Sequence, residues 1–152
     1  DNAAYDSLGL WRLTAAGWGG DKPDIRVATW SEEWLANDIK ALDVFIRGCE
    51  SNDISLLFVV MPQSPAYLDT DYFGRHGITW EQGRKNLAML DSLTGVHDNF
   101  FLYDAYNFGD HDYTGAHAVD CDHLSEEGAI KLSARLDSVI HAIVRQRQKK
   151  SY

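Results

Sequence analysis

The 152-residue chain reads as an α/β protein, a three-layer core of parallel strands and helices, incomplete as it stands, behind an irregular Trp/Gly-rich N-terminal segment. Three observations predict this class. Apolar residues recur at helical spacing in three stretches. Two short apolar runs lie between those stretches. Helices alternating with strands favour parallel pairing through right-handed crossovers. The length suits one domain, and 45% hydrophobic with 24% charged residues is ordinary for a globular chain. We divide it into an N-terminal segment (1–30), an α/β core (31–147) and a tail (148–152).

Gly17, Gly19, Gly20 and Pro23 break the N-terminal segment, and Trp11, Trp18 and Trp30 punctuate it. Ile25-Arg26-Val27-Ala28-Thr29 is its one expected strand. Ser31 is a good N-cap, with Glu32 and Glu33 at the positive end of the helix dipole. Leu35, Ile39, Leu42, Ile46 and Cys49 then form one apolar face. Ile54 to Met61 is a near-continuous apolar run stopped by Pro62, the pattern of a strand covered on both faces. Thr79 and Gln82 form a capping box that opens a second helix, with Gly83, Leu87, Leu90 and Thr94 on one face and Gly95 as its stop. Asn99 to Asp104 reads as a second strand. The last helix is expected from Ser125 towards Arg147, with Ala129, Leu132, Leu136, Ile140 and Ile143 facing inward.

A net charge of −9 argues against broad binding to nucleic acid or anionic membranes. Arg145, Arg147, Lys149 and Lys150 suit the C-terminal end of a helix. No apolar run approaches the ~20 residues of a membrane span. No signal peptide or initiator Met is legible, so we read Asp1 as the start of a processed protein or of an excised part of a longer one. An extracytoplasmic or cell-surface location is the working expectation. Cys49 and Cys121 are expected to be free thiols. Two strands, or three at most, leave a sheet edge that needs cover from the N-terminal segment, a second copy of the chain or another part of the protein.

Sites in open α/β sheets form beyond the carboxyl ends of the strands. The loop after the first strand carries Gln63, Ser64, Tyr67, Arg75 and His76. The loop after the second carries His111, Asp112, His117, Asp120, Asp122 and His123. Asp120 and His123 have the spacing of an orienting carboxylate and a base. The carboxylate fixes the tautomer of the imidazole and stabilises the cation that forms. The same spacing also serves to cap a turn and the helix after it.

The block Asp120-x-x-His123-Leu124-Ser125-x-x-Gly128-Ala129, opening the last helix after a strand, resembles the final block of the SGNH/GDSL hydrolases. The helix–strand–helix–strand–loop–helix order over residues 31–145 resembles the second half of that flavodoxin-like fold. The resemblance implies ester hydrolysis or acyl transfer, with Asp120 orienting His123 as general base and acid. It implies a small-molecule or glycan ester as substrate, and no cofactor. Gln63, Ser64, Tyr67, Arg75 and His111 would then lie on the substrate side. The family's serine follows its first strand in a Gly-Asp-Ser block. Asp6-Ser7-Leu8-Gly9 echoes those letters without a strand before it, and no Gly-x-Asn-Asp block follows. We therefore expect the nucleophile to lie outside this chain, with Ser7 and Ser64 as weaker candidates.

Two other readings stand beside this one. The His/Asp-rich loop offers metal-ligand residue types, although His111-x5-His117 and His117-x5-His123 match no regular helical motif. Tyr67, Tyr72, Phe73, Trp80 and Tyr113 could line a non-catalytic site for a sugar or acyl chain. Cys121 is expected to be an inert thiol.

Overall fold

The computed structural model describes residues 17–18, 25, 31–75 and 77–150. Most of the N-terminal segment, including Ser7 and the strand expected over 25–29, lies outside them, as does His76. The described chain is mixed α/β: three α-helices and a two-stranded parallel sheet, in the order α1 (Glu32–Glu50), β1 (Leu56–Val60), α2 (Trp80–Val96), β2 (Phe100–Asp104) and α3 (Glu126–Lys150). It divides into two compact units. One comprises Ile25 with residues 31–111, and the other comprises Gly17, Trp18 and residues 112–150.

In the first unit, local chemistry sets the helix starts. Ser31 Oγ accepts from the Trp34 amide at 3.0 Å and caps α1. The capping box of α2 forms as its spacing predicts. Thr79 Oγ1 accepts from the Gln82 amide at 3.3 Å, and Gln82 Oε1 accepts from the Thr79 amide at 2.8 Å. The helix runs one residue past Gly95, to Val96.

The strands pair in register from Leu56 with Phe100 to Val60 with Asp104. Ile46 of α1, Leu93 of α2 and Phe100 of β2 form the core, with Ile39, Leu42, Leu56 and Leu90 packed around them. Leu56 and Phe100 are register partners on one sheet face, so both helices cover that face. Asn99 is 2% exposed, and its amide donates to the carbonyls of Ile46 and Ile54 at 3.1 Å each. His97, 5% exposed at the end of α2, bonds Asp43 of α1 through Nε2 at 2.7 Å. That contact first, and Arg47 second, holds the Asp43 carboxyl below its ordinary range.

The apolar run predicts a strand buried on both faces. Instead β1 has one neighbour among the described residues, and Phe58 and Met61 are exposed. An apolar run specifies what a strand prefers to bury, not how many neighbours it finds.

In the second unit, the short 3₁₀ turn Gly115–His117 packs on α3. The helix runs to Lys150, beyond the expected end at Arg147. Leu132 and Ile143 of the expected inner face are buried, whereas Ile140 is exposed. Cys49 and Cys121 are not joined in a disulfide.

Candidate functional site

Residues 112–128 fold back on themselves so that two short stretches of loop run antiparallel. Ala118 and Leu124 form a bridge. It is flanked by Val119 N–H donating to the His123 carbonyl at 2.8 Å and Ser125 N–H donating to the His117 carbonyl at 2.9 Å. Ser125 is buried, donates through Oγ to the Ala116 carbonyl at 2.8 Å, and accepts from the Gly128 amide at 3.3 Å. The first turn of α3 is thereby held against the 115–117 turn. Gly128 permits that approach, since a Cβ there would fall on the His117 carbonyl oxygen.

The bridge closes a tight turn over 119–123, and Asp120 organises it. Its Oδ1 accepts from the amides of Asp122 at 3.0 Å and His123 at 2.9 Å, an Asx-type turn. His123 Nδ1 lies 2.9 Å from each oxygen of the same carboxylate. Burial pushes the Asp120 carboxyl up. Donation from the Asp122 amide, the His123 ring and the His123 amide outweighs it, so the group ionises below its ordinary range. Asp120 therefore stays anionic at neutral pH and draws the ring proton to Nδ1. Nε2 of His123 is then the acceptor nitrogen, on a side chain 44% exposed. The spacing admits capping or base positioning; in the structure Asp120 caps the turn and also bonds the His123 ring.

The base of this loop is clamped to α3. Arg135 Nη2 lies 2.6 Å from both Asp112 oxygens, and Lys131 Nζ lies 3.1 Å from one. Arg135 first and Lys131 second hold the Asp112 carboxyl down at about 2. Both cations also lie over the buried Tyr113 ring, at 4.8 Å for Lys131 and 5.0 Å for Arg135.

Of the expected metal-ligand types, Asp120, Asp122 and His123 form a group whose ligand atoms lie within 4.8 Å of one another. A divalent ion held through His123 Nδ1 and Asp120 would use atoms that already bond each other. An ion bound in that way would replace the Asp120–His123 hydrogen bond. His111 and His117 are engaged elsewhere: His111 Nε2 meets the Gln63 carbonyl at 2.8 Å, and His117 Nδ1 meets Thr114.

The substrate-side candidates belong to the first unit, where Gln63 and His111 are tied by that bond. Ser64 is 1% exposed, and its Oγ caps the turn Pro65–Asp69 by accepting from the Ala66 amide at 3.2 Å. Tyr67 is fully buried, and Arg75 is half-buried. Phe73 meets Trp80, Tyr106 and Phe108 edge-on at 5.5, 5.2 and 5.6 Å, and Tyr106 stacks on Trp80. Burial first, then Tyr67 and Asp104, pushes the Tyr106 hydroxyl above its ordinary range. These aromatics pack one another. Asp104 turns the chain beneath them, accepting from the Tyr106 and Asn107 amides at 3.0 and 2.9 Å. Asn107 and Phe108 then take positive φ angles of 43° and 53°.

Sequence reasoning passed over His117 as a residue with a defined role. Its signal was present in Thr114-x-x-His117, the spacing of a capping box, which the structure forms. Set against models of known families, curated proteins and solved structures, the chain finds no match.

Proposed function

We propose that this chain is the acid–base part of a serine-type ester hydrolase of the SGNH/GDSL kind, acting on small-molecule or glycan esters such as acetylated carbohydrate. The observation that carries the reading is the bond between His123 Nδ1 and the Asp120 carboxylate at 2.9 Å, on a half-exposed imidazole three residues before α3. The three-layer SGNH-type core is part of the same proposal. The β1–α2–β2 order supports it, with α1 and α2 supplying the helical layer on one sheet face.

In the proposed reaction, a serine hydroxyl gives its proton to His123 Nε2 as its oxygen attacks the acyl carbon. The imidazolium, paired with anionic Asp120, then protonates the departing alcohol. Water repeats the sequence and releases the acid. The serine comes from outside the described residues. Ser64 is buried and committed to its cap, and Ser7 lies outside the described part of the chain.

Hydrolysis of a chromogenic acetyl ester by the whole protein tests the reading. His123→Ala should lower turnover by about 10³-fold or more, and Asp120→Asn should lower it strongly with little change in KM. Both variants should keep the wild-type far-UV spectrum, because the side chains are 44% exposed. Wild-type turnover that survives His123→Ala would refute the assignment.

A further inference from the structure

His123 has two carboxylates beside it, and the hydrolase reading uses only one. Asp120 meets Nδ1 at 2.9 Å through both oxygens. Asp122 Oδ1 lies 3.7 Å from the same nitrogen. That is too far for a hydrogen bond and close enough for a strong interaction between charges. The Asx-type turn sets the arrangement, because Asp120 Oδ1 accepts from the Asp122 amide and folds residue 122 back beside residue 120. The Asp122 side chain is 15% exposed, against 44% for Asp120, so water screens its charge less.

The Nδ1 hydrogen is already directed at Asp120, so what Asp122 adds to the ring is charge. One oxygen of each carboxylate and the ring nitrogen lie within 4.8 Å of one another. Two anions held that close repel, and a second proton on the imidazole places a cation beside both. Among the described residues, the loop and the elements bonded to it carry further titratable groups: Cys121, His117 of the 115–117 turn, and the exposed Glu126 and Glu127 in the first turn of α3. Those glutamates offset the positive end of α3, which disfavours a cation nearby. Asp112, Lys131 and Arg135 answer one another at the base of the loop.

We propose that Asp122 is a positioning residue that acts through His123, its carboxylate stabilising the imidazolium formed when His123 takes the proton of the nucleophile. The inference rests on the hydrolase reading of His123. No proton moves at Asp122. The proton passes from the serine hydroxyl to His123 Nε2 and from there to the departing alcohol. The attraction to Asp122 is strongest while His123 holds it, which is when the barrier is crossed. Asp120 sets the direction of the ring, and the two carboxylates together set how readily it becomes a cation.

Two measurements test this on the whole protein. In Asp122→Asn, which keeps the shape and removes the charge, the His123 ring followed by NMR should titrate at lower pH by about 0.5–1 pH unit. On a chromogenic acetyl ester the acid limb of the pH profile should move the same way. There kcat should fall by about 3–10-fold with KM unchanged. Asp122→Glu, which keeps the charge, should recover most of the loss. Asp137→Asn is the control. Asp137 is exposed and lies about 16 Å along α3 from its start, beyond the reach of screened charge, so this variant should leave the ring in place. A His123 titration that Asp122→Asn leaves unmoved, or that Asp137→Asn moves as far, would overturn the role of Asp122 whatever the activity. Absence of any wild-type hydrolysis would remove the hydrolase reading and the role of Asp122 with it.

Discussion

Replacing Gly128 with alanine isolates the contact that shapes the Asp120–His123 loop. Gly128 is the third residue of α3, and alanine there gains about 1 kcal/mol in helix propensity. Against that, the new Cβ would fall on the His117 carbonyl oxygen, 2.9 Å from the carbonyl carbon and 3.1 Å from Leu124 Cδ2. The obstacle is main chain, so no side chain can rotate out of the way. Overpacking of this kind costs about 1–3 kcal/mol. The same oxygen accepts from the Ser125 amide at 2.9 Å, a bond worth about 1 kcal/mol that separation of α3 from the turn would break. The balance is a loss of about 2 kcal/mol, which lowers Tm by about 4–8 °C for a chain of this size. Gly48 and Gly95 supply the control, because both are helical and a Cβ at either meets nothing within 4 Å. Gly48→Ala and Gly95→Ala should each stabilise by about 0.5–1 kcal/mol. Thermal and urea denaturation of the three variants should therefore give one loss and two gains. A Gly128→Ala protein that melts at or above the wild type would refute the close-contact argument.

Two further outcomes follow from the buried and ionised groups. Asn99→Ala removes the donor shared by the Ile46 and Ile54 carbonyls and should cost about 2–4 kcal/mol, read as a lower urea midpoint at unchanged m. The Asp120 carboxyl ionises below its ordinary range in the folded state, so its contribution to stability is complete above that range and is lost as pH falls through the folded value. Urea titrations in that acid interval should show a shallower fall for Asp120→Asn than for the wild type.

Signals confined to a few residues were legible in the sequence. Ser31 as a cap, the Thr79–Gln82 box, the inner face through Ile39, Leu42 and Ile46, and the reach from Asp120 to His123 all act within one or two turns of chain. Contacts made across the fold were not. The apolar composition of β1 is the same for an edge strand as for a central one, so the exposure of Phe58 had no local signature. Ser64 and Tyr67 follow β1 as their loop position required, but burial depends on what packs over a loop. His97 meets Asp43 across 54 residues of sequence, and no spacing rule reaches that far. Gly128 read as part of a motif, and only the close approach of the His117 carbonyl shows why a side chain is excluded there.

The Asn99 side chain also bears on how the first unit folds. One amide joins the end of α1 and the start of β1 to the segment entering β2, across 53 and 45 residues. Neither bond can form until the long chain segments have been brought together, so both follow closure of those loops. We expect Asn99 to matter late in folding, with Asn99→Ala mainly accelerating unfolding and scarcely slowing refolding. Once made, the two bonds couple α1, β1 and β2, so their amides should open to hydrogen exchange together.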